Sequence, residues 1–290
     1  MWIVATLIAA AAQTGRNAAQ AGLTEQIGTM GATGVRFLFG LPFAVLFLIA
    51  LSLTGPVPVP GTRSLGFAAM GAVAQIAATG LMLTAMRHRG FAVATALMKT
   101  EPVSLALLGA LILAEPLGPA RLGAIATATA GVLLTSRTGW RRAGFSSALV
   151  AIGAGVLFGL SAIGFRGAII ALPHGDSVMR ATTILVLSLA MQTVMVAAWL
   201  ALADRAALGG MARAWRPSLG AGFLGALASQ FWFLGFALTS AANVRTLALV
   251  EVVFAWALSG RVFRERTSPG QLAGMALIVL GVGSLLRLGR

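Results

Sequence analysis

Cysteine is absent from the 290 residues, histidine occurs twice, and acidic residues number only seven. Without cysteine there can be no disulfide and no thiolate metal site. His88 and His174 both stand at the ends of apolar runs, so neither can partner a serine inside a membrane, as intramembrane proteolysis requires. The His-Glu-x-x-His pattern of zinc proteases is missing, and so is a phosphate-binding P-loop, so the chain has no nucleotide site of its own. No cofactor, no metal and no enzymatic activity are expected. Charge is scarce as well, at 10% of residues against about 25% in a soluble domain.

What fills the chain is apolar: 58% of residues, with a mean hydropathy of +0.93. Long, nearly uncharged runs recur from end to end, as in an all-α polytopic membrane protein. The short alternating segments of a membrane β-barrel are not found. Roughly 29 residues per span and connector implies about ten spans. The pattern places them at Trp2–Ala21, Thr29–Leu53, Leu65–Met86, Phe91–Ala114, Pro119–Ser136, Ser147–Ile170, Ser177–Leu202, Leu219–Thr239, Asn243–Val262 and Pro269–Leu286. Pro119 and Pro269 stand where a helix begins, a position at which the missing N–H costs nothing. No Lys or Arg precedes the first run, so it is expected to be a span and not a cleaved signal. The net charge of +14 comes from arginines scattered over span ends. No basic, aromatic-bearing domain exists, so nucleic acid is not the partner; the lipid bilayer is.

Internal symmetry is the most informative feature. Glu101 and Glu251 are 150 residues apart, as are Glu115 and Glu265, Pro119 and Pro269, Leu122 and Leu272, Gly131 and Gly281, and Arg16 and Arg166. Once one acidic pair sets the offset, a second is expected by chance roughly 0.07 times. In the third and eighth spans the offset becomes 154, matching Leu65-Gly66 and Gly71 to Leu219-Gly220 and Gly225. The chain therefore reads as two five-helix repeats, 1–140 and 141–290. Five is odd, so the second repeat must be inverted, an arrangement common in secondary transporters.

The helix-ending segments carry a resemblance. Glu115-Pro116-Leu117-Gly118-Pro119, followed by Leu122-Gly123 and Ala130-Gly131-Val132-Leu133-Leu134, resembles the repeat signature of the EamA-type drug/metabolite transporter superfamily. So does Glu265-Arg266-Thr267-Ser268-Pro269, followed by Leu272, Gly274 and Leu280-Gly281. The resemblance implies ten helices, a multi-pass place in a bacterial-type inner membrane, and usually export. The substrates it implies are diverse: amino acids, sugars, nucleotide precursors, lipid-linked sugars and drugs. Proline often interrupts the fourth and ninth spans of such proteins; Pro102 fits, whereas Val252 departs from the pattern. The family's usual cytoplasmic termini would put about six arginines inside and eleven outside. That runs against the positive-inside rule, so the charge pattern predicts termini in the periplasm.

Ionisable groups inside spans are site candidates, since each costs about 2.5–3.5 kcal/mol at mid-helix. Gln13, Arg16, Asn17 and Gln20 form one polar stripe on the first span, either a cavity wall or a helix-packing seam. Glu101 and Glu251 lie mid-span; they are read as a proton or substrate site, or as ion-pair partners of Arg16 and Arg166. Lys99 has no repeat partner. Gln75, Ser229, Gln230 and Trp232 lie in the related third and eighth spans, and Trp256 in the ninth. Arg36 and Arg180 are expected to snorkel from first turns to the interface. Cations outnumber carboxylates in this set, which suits a small carboxylated metabolite such as an amino acid, moved by alternating access and possible proton coupling. The rival readings are a flippase for a lipid-linked or amphipathic anion and a non-transporting structural or channel protein.

Overall fold

The computed structural model describes residues 1–89, 101–135, 145–250 and 269–288. The described chain is helical: α1 (Trp2–Leu38), α2 (Leu41–Ser52), α3 (Thr62–Arg89), α4 (Glu101–Leu113), α5 (Pro119–Thr135), α6 (Phe145–Ile170), α7 (Ser177–Ala203), α8 (Arg205–Arg213), α9 (Trp215–Leu238), α10 (Ala241–Ala248) and α11 (Pro269–Leu288). Among the described residues, six stretches are long and apolar enough to cross a membrane: Met30–Ser52, Thr62–Met82, Leu149–Ile170, Ser177–Ala203, Trp215–Leu238 and Pro269–Leu288. They make this a multi-pass membrane protein. The expected first span falls short of them because Gln13, Arg16, Asn17 and Gln20 interrupt its apolar run. At 17 residues, α5 is at the short limit for a span. The expected fourth and ninth spans run partly outside the described residues.

A break at Gly28 divides the first two expected spans. No extended loop separates them; helical structure runs on through residues 22–27 and breaks at Gly28, whose φ of 71° and ψ of 170° suit glycine alone. Across this break the Gln20 amide donates to the Ala32 carbonyl at 2.8 Å. In a straight helix those residues would lie about 18 Å apart, so the chain folds back on itself at Gly28. The second segment is interrupted again at Phe39-Gly40 before α2 begins, with Pro42 in its first turn. Pro119 and Pro269 begin α5 and α11 as expected.

Two compact units emerge, each drawing on both halves of the chain. The first holds Met1–Val73 and Gly164–Thr239. Here α9 lies along α1 and α7. Apolar side chains cannot drive helices together in lipid as they do in water, so small residues that permit close approach carry the packing. A Cβ on Gly222 would lie 2.6 Å from the Phe39 carbonyl, and one on Gly164 would lie 2.7 Å from the Gly71 Cα. Ser64 donates to the Ala168 carbonyl at 2.8 Å, and Phe165 packs on Phe233 with ring centroids 4.7 Å apart. Of α2, Leu46 and Ile49 stay exposed, as a lipid-facing surface would.

The second unit holds Ala74–Ile163 and Ser240–Arg290. Its α5 and α11 cross at glycines. A Cβ on Gly131 would sit 2.5 Å from the Gly274 carbonyl oxygen and 2.7 Å from the Ile278 nitrogen. One on Gly281 would sit 2.6 Å from the Ala124 carbonyl oxygen and 2.5 Å from the Ala128 nitrogen. Nearby, α4 ends with Ala114 in the left-handed region at φ 53°. The Glu115 N–H then reaches back to the Gly109 carbonyl at 3.1 Å, six residues earlier, which closes the helix end just before Pro116.

Gly131→Ala is expected to destabilise the purified protein, because backbone atoms cannot yield as a flexible side chain can; overpacking costs about 1–3 kcal/mol. Gly123→Ala, on the same helix with open space at its Cβ position, should be neutral or slightly stabilising. Thermal melts of both variants check the contrast.

Candidate functional site

In the first unit, polar side chains gather where α9 meets α1 and α7. Gly225 and Trp232 are seven residues apart on α9 and so share one face. That face meets α1. The Trp232 indole Nε1–H donates to Gln13 Oε1 at 3.1 Å, and Trp232 is buried. Arg16, only 7% exposed, lays its stem against Gly225: a Cβ there would be 3.4 Å from the Arg16 Cδ. Gln230 points to a different face, where its Nε2 donates to Thr182 Oγ1 at 2.7 Å. Its Oε1 is buried with no hydrogen-bond partner among the described residues.

Arg36 corrects the sequence reading. It does not reach out to the interface from a first turn. It lies in the last turn of α1, with its Nε buried and its guanidinium 5.5 Å from the Phe37 ring centroid. Its Cγ lies 3.8 Å from the Cβ position of Gly225. The fold-back at Gly28 thus brings two arginines, 20 residues apart in sequence, to one notch in α9. Arg180 lies in the first turn of α7, as expected; its Nε and one terminal nitrogen bond the Ile169 carbonyl at 3.0 and 2.7 Å, tying the start of α7 to the end of α6.

Arg166 donates to the carbonyls of Phe236 and Thr239, the latter at 2.6 Å. These carbonyls belong to the last turn of α9, where a cation meets the negative end of the helix dipole. In the second unit Gln75 is buried within α3, and Glu101 forms an ion pair. This partner is neither Arg16 nor Arg166. Arg245, on α10, places its Nε 3.2 Å from Glu101 Oε1, with side-chain exposures of 17% and 15%. Ser229 is buried on α9. Lys99, Glu251, Trp256 and the side chain of Asn17 lie outside the described residues.

The sequence reading missed Arg36, Arg245 and the polar face of α7. Thr182, Ser188 and Gln192 are buried there, and the last two are spaced i, i+4 within an apolar run. That spacing was the available signal. Among the described residues no cluster of His, Asp or Glu could hold a metal ion.

Residues 1–137 match the EamA-like transporter family. The first part of this multi-pass membrane protein is thus similar to an EamA-like transporter domain. A solved structure described only as the crystal structure of a protein superposes with a TM-score of 0.70 at 17% identity. The superposition covers 99% of this chain and 97% of that one, and it shows a shared fold. No curated protein matches the sequence.

Removing one member of a half-buried ion pair leaves the other less well compensated, whereas removing both does not. Glu101→Gln should therefore lower the melting temperature more than the double variant Glu101→Gln/Arg245→Gln does. A double-mutant cycle on thermal stability should show coupling of at least about 0.5 kcal/mol. Additive losses would mean that the two charges do not interact.

Proposed function

We propose that this chain is a secondary transporter that exports a small carboxylated metabolite, such as an amino acid, across a bacterial-type inner membrane. Two inverted five-helix repeats would alternate access to a site between spans. The contact between α5 and α11 supports the repeat. Gly131 faces Gly274 and Ile278, while Gly281 faces Ala124 and Ala128. Shifting each residue by 150 positions turns one set into the other, which is the reciprocity expected of elements related by a two-fold axis. The family match over residues 1–137 and the shared fold agree with this reading.

The substrate class is argued from the stems of Arg16 and Arg36, which both pass Gly225 on the α9 face that also carries the Gln13–Trp232 pair. Guanidinium groups bind carboxylates through paired, charge-assisted hydrogen bonds. Trp232 offers an apolar wall and Gln13 a polar handle for the rest of the molecule. Arg166 is engaged with the α9 carbonyls and is better read as an anchor of that helix end. Gln75, Ser229, Gln230, Glu101, Lys99 and Glu251 remain the other positions proposed to meet substrate or a coupled proton.

A melting-shift screen of the purified protein against amino acids, organic acids and nucleosides should single out a carboxylate. In liposomes, that compound should show saturable counterflow. Arg16→Gln should raise its half-saturation concentration about tenfold or more, because hydrogen bonds to charged groups are worth about 1.5–3 kcal/mol. Flux without saturation or counterflow would indicate a channel, and a nucleoside hit would redirect the substrate class.

The arginine distribution further supports periplasmic termini. Alkaline phosphatase fused to the carboxy terminus should be active and a green fluorescent fusion dark. The opposite pattern would establish cytoplasmic termini.

A further inference from the structure

The short helix α8 carries none of the residues of the proposed substrate site. Nine residues rise about 14 Å, too little to cross a bilayer. It joins α7 and α9, two stretches that are long enough, so it lies where both meet the membrane surface. Asp204 starts it, with Oδ1 accepting from the Ala207 N–H at 3.1 Å. One face is buried: Ala207 and Met211, at i, i+4 spacing, turn inward, and Met211 packs near Gly34 of α1. Ile27 of α1 lies against Gly210.

The other face is exposed and basic. Arg205 and Arg213 both lie on it. Arg205 is held by a bond from its Nε to the Ala201 carbonyl at 2.8 Å. Arg216 follows on the first turn of α9, exposed, with its guanidinium 5.4 Å from the Trp215 ring centroid. Between Asp204 and Arg216 these three arginines face a single carboxylate, and Asp204 is occupied as a cap. Trp215 is 49% exposed, and Trp199, one turn before the end of α7, is 47% exposed. Leu202, between them in sequence, is exposed. Half-exposed tryptophans beside bare leucine mark the level where acyl chains give way to headgroups. Cations fixed at that level meet phosphates and the negative potential of an anionic leaflet.

We propose that Arg205, Arg213 and Arg216, with Trp199 and Trp215, form a docking surface for an anionic phospholipid headgroup. The tryptophans set the depth and the arginines supply the charge. A ligand that binds only the folded protein raises its melting temperature by linkage, so lipid specificity can be read from stability.

The test compares the full chain in detergent with added phosphatidylglycerol, phosphatidylcholine or inorganic phosphate. Phosphatidylglycerol should raise the melting temperature by about 3 °C or more over phosphatidylcholine, with inorganic phosphate giving no shift. The shift should shrink as salt screens the charges. It should fall by more than half in R205Q/R213Q/R216Q, and native mass spectrometry should show fewer retained phosphatidylglycerol molecules. If that variant does not fold, R213Q alone should still lose part of the shift, and R205K/R213K/R216K should keep most of it. Equal shifts with the two lipids would overturn the proposal. So would an undiminished shift in the glutamine variants, loss of it in the lysine variant, or its reproduction by phosphate alone.

Discussion

Hydrocarbon surrounds this chain as well as filling it, so burying leucine gains little, and helices hold together where their backbones come close. At Gly131, Gly274 and Gly281 two helices meet with no room for a methyl group between them. Gly222 and Gly164 do the same in the other unit. Dispersion at these crossings, and the few hydrogen bonds that accompany them, replace the force that packs a soluble core. Where glycine has open space, as at Gly123, it contributes none of this. The value of each glycine depends on its neighbour and not on its frequency in the chain.

Against that background every buried charge needs an answer, and the structure answers in three ways. Arg166 and Arg180 spend their donors on backbone carbonyls at helix ends, where the orphan acceptors of a helix lie. Glu101 and Arg245 neutralise one another. Arg16 and Arg36 lay their stems past Gly225, on the α9 face that two turns further on carries Trp232, bonded to Gln13. Helix-end anchors and compensated pairs stabilise a fold. Guanidinium groups suit an anion, and the substrate proposal starts from that chemistry.

Much of this was legible in advance. Apolar runs, prolines at helix starts and the 150-residue repeat outlined the helices and singled out Gly131 and Gly281 as equivalent positions. The polar stripe of the first span also stood out, and its Gln13 and Arg16 do sit at the focus of the first unit. Other features escaped. Arg245 and Arg36 looked like ordinary interface arginines, because distance from a span end is all a linear chain reveals about an arginine. Gln192 and Ser188 carried only a faint i, i+4 signal in an apolar helix.

The sequence by itself determined the class of protein, because scarcity of charge and recurrence of long apolar runs leave a chain no stable place but a bilayer. It also permitted the break in α1, since glycine tolerates the backbone angles found at Gly28; the other glycines of that helix show that the fold chose among them. Tertiary structure alone decided the partners: Arg245 for Glu101, Trp232 for Gln13, and Gly225 for both Arg16 and Arg36. Periodicity states which face of a helix a residue occupies. It does not state which helix that face will meet, because in lipid the choice depends on close fit between surfaces, and fit is a property of pairs.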